Sequence, residues 1–243
     1  MNVIIKPAGL LVVLGLTTIL VTTGVVQIQR SRAQQLPTID TPIAGFQSKK
    51  RSKDGAVSIF DGKDAMETIN LSEGGKLDWV HWGLSGPHSI DRKRDAANGI
   101  SISDYTLANG NTGLLNGEEH GPSRGFLWSG GRPTSAQSVT YTGVHLKLKN
   151  GFQFSVHTDA RPHTLRVYVG GYRAGGEFSA WLPDATTPVR IAMKETALQS
   201  GYYSRIYTVN FHPDPKNKDL KVVWRTGGTA NGGNVSLQAA TLE

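Results

Sequence analysis

The sequence predicts an all-β fold, an antiparallel two-sheet sandwich of jelly-roll type, preceded by one N-terminal transmembrane or signal helix. Three observations carry this expectation. From Ala56 onward, apolar residues recur with a period of two rather than 3.6. The short apolar runs are separated by Gly, Asn, Asp and Pro clusters, and the 243-residue chain holds 29 glycines, where average usage near 7% would give about 17. Ahead of this pattern stand nineteen residues without a charge, Ala8 to Val26.

That first segment, AGLLVVLGLTTILVTTGVV, follows Lys6 and precedes Gln27, Arg30 and Arg32. It is long enough to cross a bilayer as a helix and longer than the apolar region of an ordinary cleaved leader, although Ser31-Arg32-Ala33 offers small residues at the −3 and −1 positions of a cleavage site. Residues 1–27 are therefore expected to be a signal anchor or signal peptide, with an uncleaved anchor preferred. Basic residues flank both ends, more of them downstream, which alone favours a cytoplasmic C-terminus. Long polar domains translocate largely regardless of such charges, so the domain is expected outside, as a membrane-anchored or secreted, extracytoplasmic protein.

Residues 28–55 are polar, contain two prolines and end in Lys49, Lys50, Arg51 and Lys53, the composition of a linker. Four cations in a tether are ordinarily solvated. Setting aside Lys6, Arg30 and Arg32 takes the formal charge from +7 to +4, so the folded part is only mildly basic. It carries no basic amphipathic helix or RNA-binding signature, and no nucleic-acid partner is expected.

The domain itself is expected over 56–243, with strands at Val57–Phe60, Met66–Leu71, Leu77–Trp82, Ile100–Leu107 and Phe126–Trp128. In TGVHLKLKNGFQFSV, Val144, Leu146 and Leu148 share one face; Phe152, Phe154 and Val156 resume the alternation after Asn150-Gly151. Asn-Gly favours a two-residue type I′ turn, so a β-hairpin is predicted here. Leu165, Val167 and Val169 alternate in the next strand, Thr164–Val169. Further strands follow at Gly176–Leu182, Val189–Met193, Ile206–Phe211, Leu220–Arg225 and Val235–Leu242. Many short strands without interleaved helices imply packed antiparallel sheets.

Composition also excludes chemistry. Without cysteine there are no disulfides, thiolate zinc sites or cysteine nucleophile. The seven histidines, His81, His88, His120, His145, His157, His163 and His212, form no H-x-H, H-x₃-H or HExxH pattern. Glu118-Glu119-His120 reads equally well as a cation donor set or a polar loop. A structural calcium on loop carbonyls and an aspartate such as Asp184 is invisible to spacing, and no other cofactor is expected. No GxSxG, phosphate-cradling glycine loop or demonstrable carboxylate pair is present, so the protein is not expected to be an enzyme.

The segment DWVHWG, 78–83, concentrates two tryptophans around a histidine. On a strand, Trp79 and His81 point to one face, Val80 and Trp82 to the other. The indoles thus cannot form one flat platform, and only one is expected to face solvent. Both are expected to be largely structural. The functional alternative is sugar recognition, with an aromatic face stacked on a pyranose; its ligand-binding residues would be Trp82, His81, Arg92, Lys93 and Trp128. The run Arg92-Lys93-Arg94 would alternatively be a solvated edge against strand aggregation.

Six stretches together resemble a domain of large secreted and cell-surface bacterial proteins: LSEGGKLDWVHWGL (71–84), IDRK (90–93), FLWSGGRPT (126–134), NGFQFSV (150–156), TLRVYVGGYRAGGEFSAWLPD (164–184) and GGNVSLQAATL (232–242). Their order, over about residues 66–242, is more specific than any one piece. The resemblance implies a galactose-binding-like or carbohydrate-binding β-sandwich that travels as an accessory module. It carries no activity over to individual residues. The expected function is non-catalytic recognition of carbohydrate or cell-envelope polymer. The alternative is a protein-binding adhesive or structural surface module, and a polysaccharide hydrolase or lyase ranks third.

Overall fold

Period-two alternation from Ala56 onward is realised as strands. The structure, a computed structural model, describes residues 50–51, 56–62, 67–97, 99–108, 114–118, 124–147, 150–183, 189–192, 201–216, 218–227 and 233–243. The expected membrane segment and most of the expected linker lie outside the described residues. Among the described residues no helix is long and apolar enough to cross a membrane.

In chain order the strands are β1 (Lys50–Arg51), β2 (Ala56–Gly62), β3 (Ile69–Asn70), β4 (Asp78–Trp82), β5 (Ile90–Lys93), β6 (Ser101–Ile102), β7 (Thr106–Leu107), β8 (Leu114–Glu118), β9 (Phe126–Ser129) and β10 (Gly131–Arg132). Then come β11 (Ala136–Thr140), β12 (Thr142–Lys147), β13 (Gly151–His157), β14 (His163–Tyr172), β15 (Gly175–Trp181), β16 (Val189–Ala192), β17 (Tyr202–His212), β18 (Asp219–Gly227) and β19 (Asn234–Leu242). A single helical turn, α1 (Leu71–Gly74), starts at Asn70, whose side chain accepts from Ser72 N. Lys50 and Arg51, inside the stretch expected as linker, pair with Val57 and Ala56.

These elements form a ten-stranded, a six-stranded and a three-stranded sheet, antiparallel throughout the described residues except where β3 meets β9. At the centre of the largest sheet, β19 pairs with β14 on one side and with β12 and then β4 on the other. The six-stranded sheet runs β16-β15-β18-β13 and ends on β6 and β7.

Alternation explains which faces meet. Val80, Trp82, Leu165, Val167 and Leu242 of the large sheet share one core with Phe152, Phe154, Phe178, Val222 and Trp224 of the six-stranded sheet. On the opposite face of the large sheet, Trp79, Tyr168 and Ala239 meet Leu71, Phe126 and Trp128 in a second, smaller core. The expected pair of sheets thus carries a third, which closes over the end of β4. Burying each large apolar side chain contributes roughly 1.5–3 kcal/mol, so a small third sheet repays its ordering by covering two indoles and a phenyl ring.

A bulge lets β19 serve both cores. Tyr168 pairs with Ala239 but Val169 pairs with Leu237, so Gln238 is the extra residue. Val235 and Leu237 enter the large core before it, Ala240 and Leu242 after it. Without the extra residue, Ala240 and Leu242 would face the other side.

The predicted Asn150-Gly151 hairpin is not formed. β12 belongs to the ten-stranded sheet and β13 to the six-stranded one. Alternation placed Val144, Leu146, Phe152, Phe154 and Val156 inward, as found, but it does not fix a strand's partner. Gly151 is needed for close approach instead: a Cβ there would lie 2.5 Å from Arg225 Cβ and 2.8 Å from Trp224 O. The expected strand Ile100–Leu107 is divided into β6 and β7 by the loop 103–105. Of the expected strand Met66–Leu71, Met66 lies outside the described residues; among the rest Ile69–Asn70 form the strand, and Leu71 opens the helical turn.

Candidate functional site

All five residues of β4 are buried. Trp79 and His81 do point away from Val80 and Trp82, as their spacing requires. The expectation that one indole would face solvent is overturned, because both faces of β4 are covered and Trp79 and Trp82 are each 0% exposed. His81 lies between Trp128 and Phe126, ring centroids 5.1 and 5.7 Å away. Neither ring nitrogen of His81 makes a hydrogen bond of good geometry. Burial holds its pKa down at about 4, and the nearby Thr142 backbone only partly offsets this. Burial likewise raises the Asp78 pKa, despite the Trp79 and Ile102 amides that donate to its carboxylate at 2.9 and 2.7 Å.

The remaining expected ligand residues also serve the framework. Trp128 is buried, and its indole N–H donates to Thr134 O at 3.1 Å. Lys93 Nζ donates to Gly75 O and Lys76 O at 2.8 and 2.6 Å, closing the end of α1. Arg92 Nη1 donates to Ile102 O at 3.4 Å. The carboxylate of Asp91 accepts from Thr134 N at 2.9 Å, locking the SGGRPT turn onto β5. The structure therefore brings His81 of β4 and Trp128 of β9 together, but inside, and sets Trp82 on the opposite face of β4. A stacking platform needs an exposed ring face, and these aromatic rings offer none.

A partly exposed indole set among polar groups lies elsewhere, on the outward face of the six-stranded sheet. There the alternation that buries Phe178, Ala180, Val222, Phe154 and Val156 turns Trp181, Lys221, Val223, Gln153 and Ser155 outward. Trp181 pairs with Lys221, and Lys221 with Ser155, so the three form one row across β15, β18 and β13. A cleft of about 280 Å³ runs along this row, bounded by Trp181, Lys221, Gln153 and Ser155 and, at the far side, by Ser103, Asp104 and Thr106. Trp181 is half-buried and lines this cleft beside polar groups.

Local hydrogen bonds explain how the far wall is held. Ser103 N donates to Ser155 O at 2.8 Å, and Ser155 N donates to Ser103 Oγ at 2.9 Å, stitching the 103–105 loop to β13. Asp104 Oδ1 accepts from Tyr105 N at 2.7 Å and from the buried Trp82 Nε1 at 3.1 Å. Burial, then the Asp104 charge, pushes the Tyr105 phenol up to about 12. On the floor of the row, Lys221 Nζ donates to Ser155 Oγ at 2.8 Å. Two side-chain contacts lie on the same face: the ion pair of Arg225 Nη2 with Glu177 Oε1 at 2.6 Å, and the hydrogen bond between His157 Nδ1 and Asp219 Oδ1 at 2.6 Å.

Sequence reasoning missed Trp181, Lys221 and Asp104. For the first two a signal existed: in GGEFSAW and DLKVVWR the alternation puts both residues on the outward side of strands whose other face is apolar. A second cleft, about 310 Å³, is lined by Ser58, His163, Thr164, Asn210 and His212 among others. Its polar groups are largely joined to their surroundings, His163 to Asp159, Thr164 to Asn210 and His212 to Ala160 O. Among the described residues no cluster of three or more acidic or histidine side chains gathers as metal ligands. Asp184, His120 and the side chain of Glu118 lie outside the described residues.

No protein-family model matches the chain, and no curated protein matches it. Among solved structures, 58% of the chain is similar to part of the enzymatically active domain of bacteriophage CBA120 tailspike protein 4, at 12% identity and a TM-score of 0.37, and spans 20% of that chain. It is also similar to TmCBM61, solved with β-1,4-galactotriose: 11% identity, 58% of this chain, 88% of that one, TM-score 0.34. The third is a xylan-binding domain from CBM 22: 9% identity, 65% of this chain, 96% of that one, TM-score 0.28.

Proposed function

We propose that this protein is a non-catalytic recognition module for carbohydrate or cell-envelope polymer, held outside the cytoplasm by its N-terminal apolar segment, and that the cleft beside Trp181 is the binding site. The observation that carries this reading is the row Trp181–Lys221–Ser155 facing Asp104. An indole face suits the apolar C–H face of a pyranose, while an ammonium, a carboxylate, an amide and hydroxyls suit its rim of hydroxyl groups. Among the described residues the cleft lining contains one carboxylate, Asp104, whereas glycoside hydrolysis in its common form needs two facing each other; this supports binding without turnover. The extracytoplasmic placement rests on the nineteen uncharged residues from Ala8 to Val26.

The test is titration of the full chain with soluble neutral and anionic oligosaccharides, followed by calorimetry and tryptophan fluorescence. Saturable binding that falls at least tenfold in Trp181→Ala supports the proposal. Flat titrations across the panel, or product release from any of these glycans, would sink it. A second reading, association with another protein, is favoured by Leu115. This residue is 55% exposed on β8, a strand paired on one side only among the described residues.

A further inference from the structure

Resting on that reading, we infer that the cleft takes a neutral sugar whose adjacent hydroxyls are read by Asp104 and Lys221 together, and that the buried Trp82 is the positioning residue for Asp104. The inference starts from how the hydrogen-bonding capacity of these two side chains is divided. Asp104 is exposed, yet its Oδ1 is held twice, by the Tyr105 amide and by the Trp82 indole N–H. Its Oδ2 accepts from none of the described residues and remains an acceptor for the cleft. Lys221 spends one N–H on Ser155 Oγ and makes no ion pair among the described residues. An ammonium has three donors, so two remain.

Across the face the order is Trp181, Lys221, Ser155 and then Asp104, carried by β15, β18, β13 and the loop after β6. An acceptor and a donor therefore stand on the same cleft without neutralising each other. One hydroxyl can donate a hydrogen bond to Asp104 Oδ2 while its neighbour accepts one from Lys221 Nζ, and the ring that carries them retains an apolar face for Trp181. A carboxylated or sulfated sugar lacks this match: its charge would meet Lys221 but also Asp104 on the same cleft, and like charges repel.

Trp82 enters because its ring is fully enclosed. It is 0% exposed and packs on Phe154 at a centroid distance of 5.4 Å. Its N–H is thus a fixed point in the interior that reaches Asp104 and sets which carboxylate oxygen faces the cleft. The tryptophan in DWVHWG would then act in recognition through Asp104, with no contact to the sugar.

The experiment uses the full chain with neutral trisaccharides of β-1,4-linked glucose, xylose, galactose or mannose, and with trigalacturonate as the anionic arm. Asp104→Asn is expected to weaken neutral binding tenfold or more, and Trp82→Phe, which keeps an apolar ring but removes the donor, by at least threefold. If Trp82 acts through Asp104, the double variant binds no more weakly than Asp104→Asn alone. A merely structural Trp82 would give additive losses, which overturns the positioning role. Should Trp82→Phe fail to fold, the Trp82 indole N–H resonance of the unaltered chain decides: it is expected to shift on addition of the bound trisaccharide and in Asp104→Asn, and a resonance indifferent to both overturns the inference. Binding of trigalacturonate alone, or neutral binding untouched by Asp104→Asn, overturns the choice of ligand class and leaves the recognition reading standing. Absence of any glycan binding removes both.

Discussion

Strand β4 and the outward rows of the six-stranded sheet divide the work of the molecule in opposite ways. In β4 five successive residues are buried, because one face meets the large core and the other the small one. In β13, β15 and β18 the face turned away from the core carries Gln153, Ser155, Trp181 and Lys221 at the surface, with Ser179 buried among them, so the same strands that build the core present these groups on their other side. Dense aromatic sequence therefore marks cohesion here, while available chemistry sits among alternating, inconspicuous polar positions. The two regions are nonetheless joined, since the N–H of Trp82 reaches the cleft wall at Asp104.

The largest effects should fall on β4. Trp82→Ala and Trp79→Ala are each expected to lower the free energy of unfolding by about 3–5 kcal/mol, the cost of truncating a fully buried aromatic ring. Urea denaturation at neutral pH measures both. The pair also weighs the two cores: similar losses would mean that the small core under the third sheet is as well packed as the large one. A loss below about 1 kcal/mol for either would break the assignment of β4 to cohesion.

Next in size is the acid response of His81. Its pKa is about 4 in the folded chain, against about 6.5 when unfolded. The unfolded chain then binds the extra proton, so the neutral imidazole's full contribution is present above pH 6.5 and is lost as pH falls towards 4, up to about 3 kcal/mol. His81→Phe removes the titration while filling an aromatic site beside Trp128 and Phe126. The urea midpoint of the unaltered chain should therefore fall between pH 7 and 4.5 by clearly more than that of His81→Phe. Parallel pH dependence in the two proteins would show that water reaches this ring.

Much of the fold was legible because burial acts residue by residue. Leu165, Val167 and Val169, or Phe152, Phe154 and Val156, announce a face wherever their strand lies. Partners were less legible. Asn150-Gly151 suits a tight turn as well as a crossing between sheets, and only the approach of Arg225 to Gly151 distinguishes them. The bulge at Gln238 depends on β14, seventy residues upstream, and nothing local in NVSLQAATL marks it. The third sheet was hidden for a related reason: Trp79 and His81 look like an exposed face until Phe126 and Trp128 arrive to cover them. The cleft residues failed to stand out because Trp181 and Lys221 meet only through sheet register, and Asp104 joins them only through the loop that divides the expected strand Ile100–Leu107.

The smallest stability effect should belong to the residues assigned the most function. Lys221 projects from β18 beside the cleft, with Leu220 and Val222 on either side of it in the core. Lys221→Met keeps the length and the apolar stem of the side chain and removes only the ammonium and its bond to Ser155 Oγ, a partly exposed contact. Its expected change in unfolding free energy is within about 0.5 kcal/mol, as for an ordinary surface substitution. Trp181→Ala should stay within about 1 kcal/mol, since its ring is half-buried and leaves no closed cavity. If either variant instead unfolds like Trp82→Ala, the outward face is part of the framework and the division between the two regions fails. If both stay folded and glycan affinity falls, stability and recognition are carried by opposite sides of the same strands.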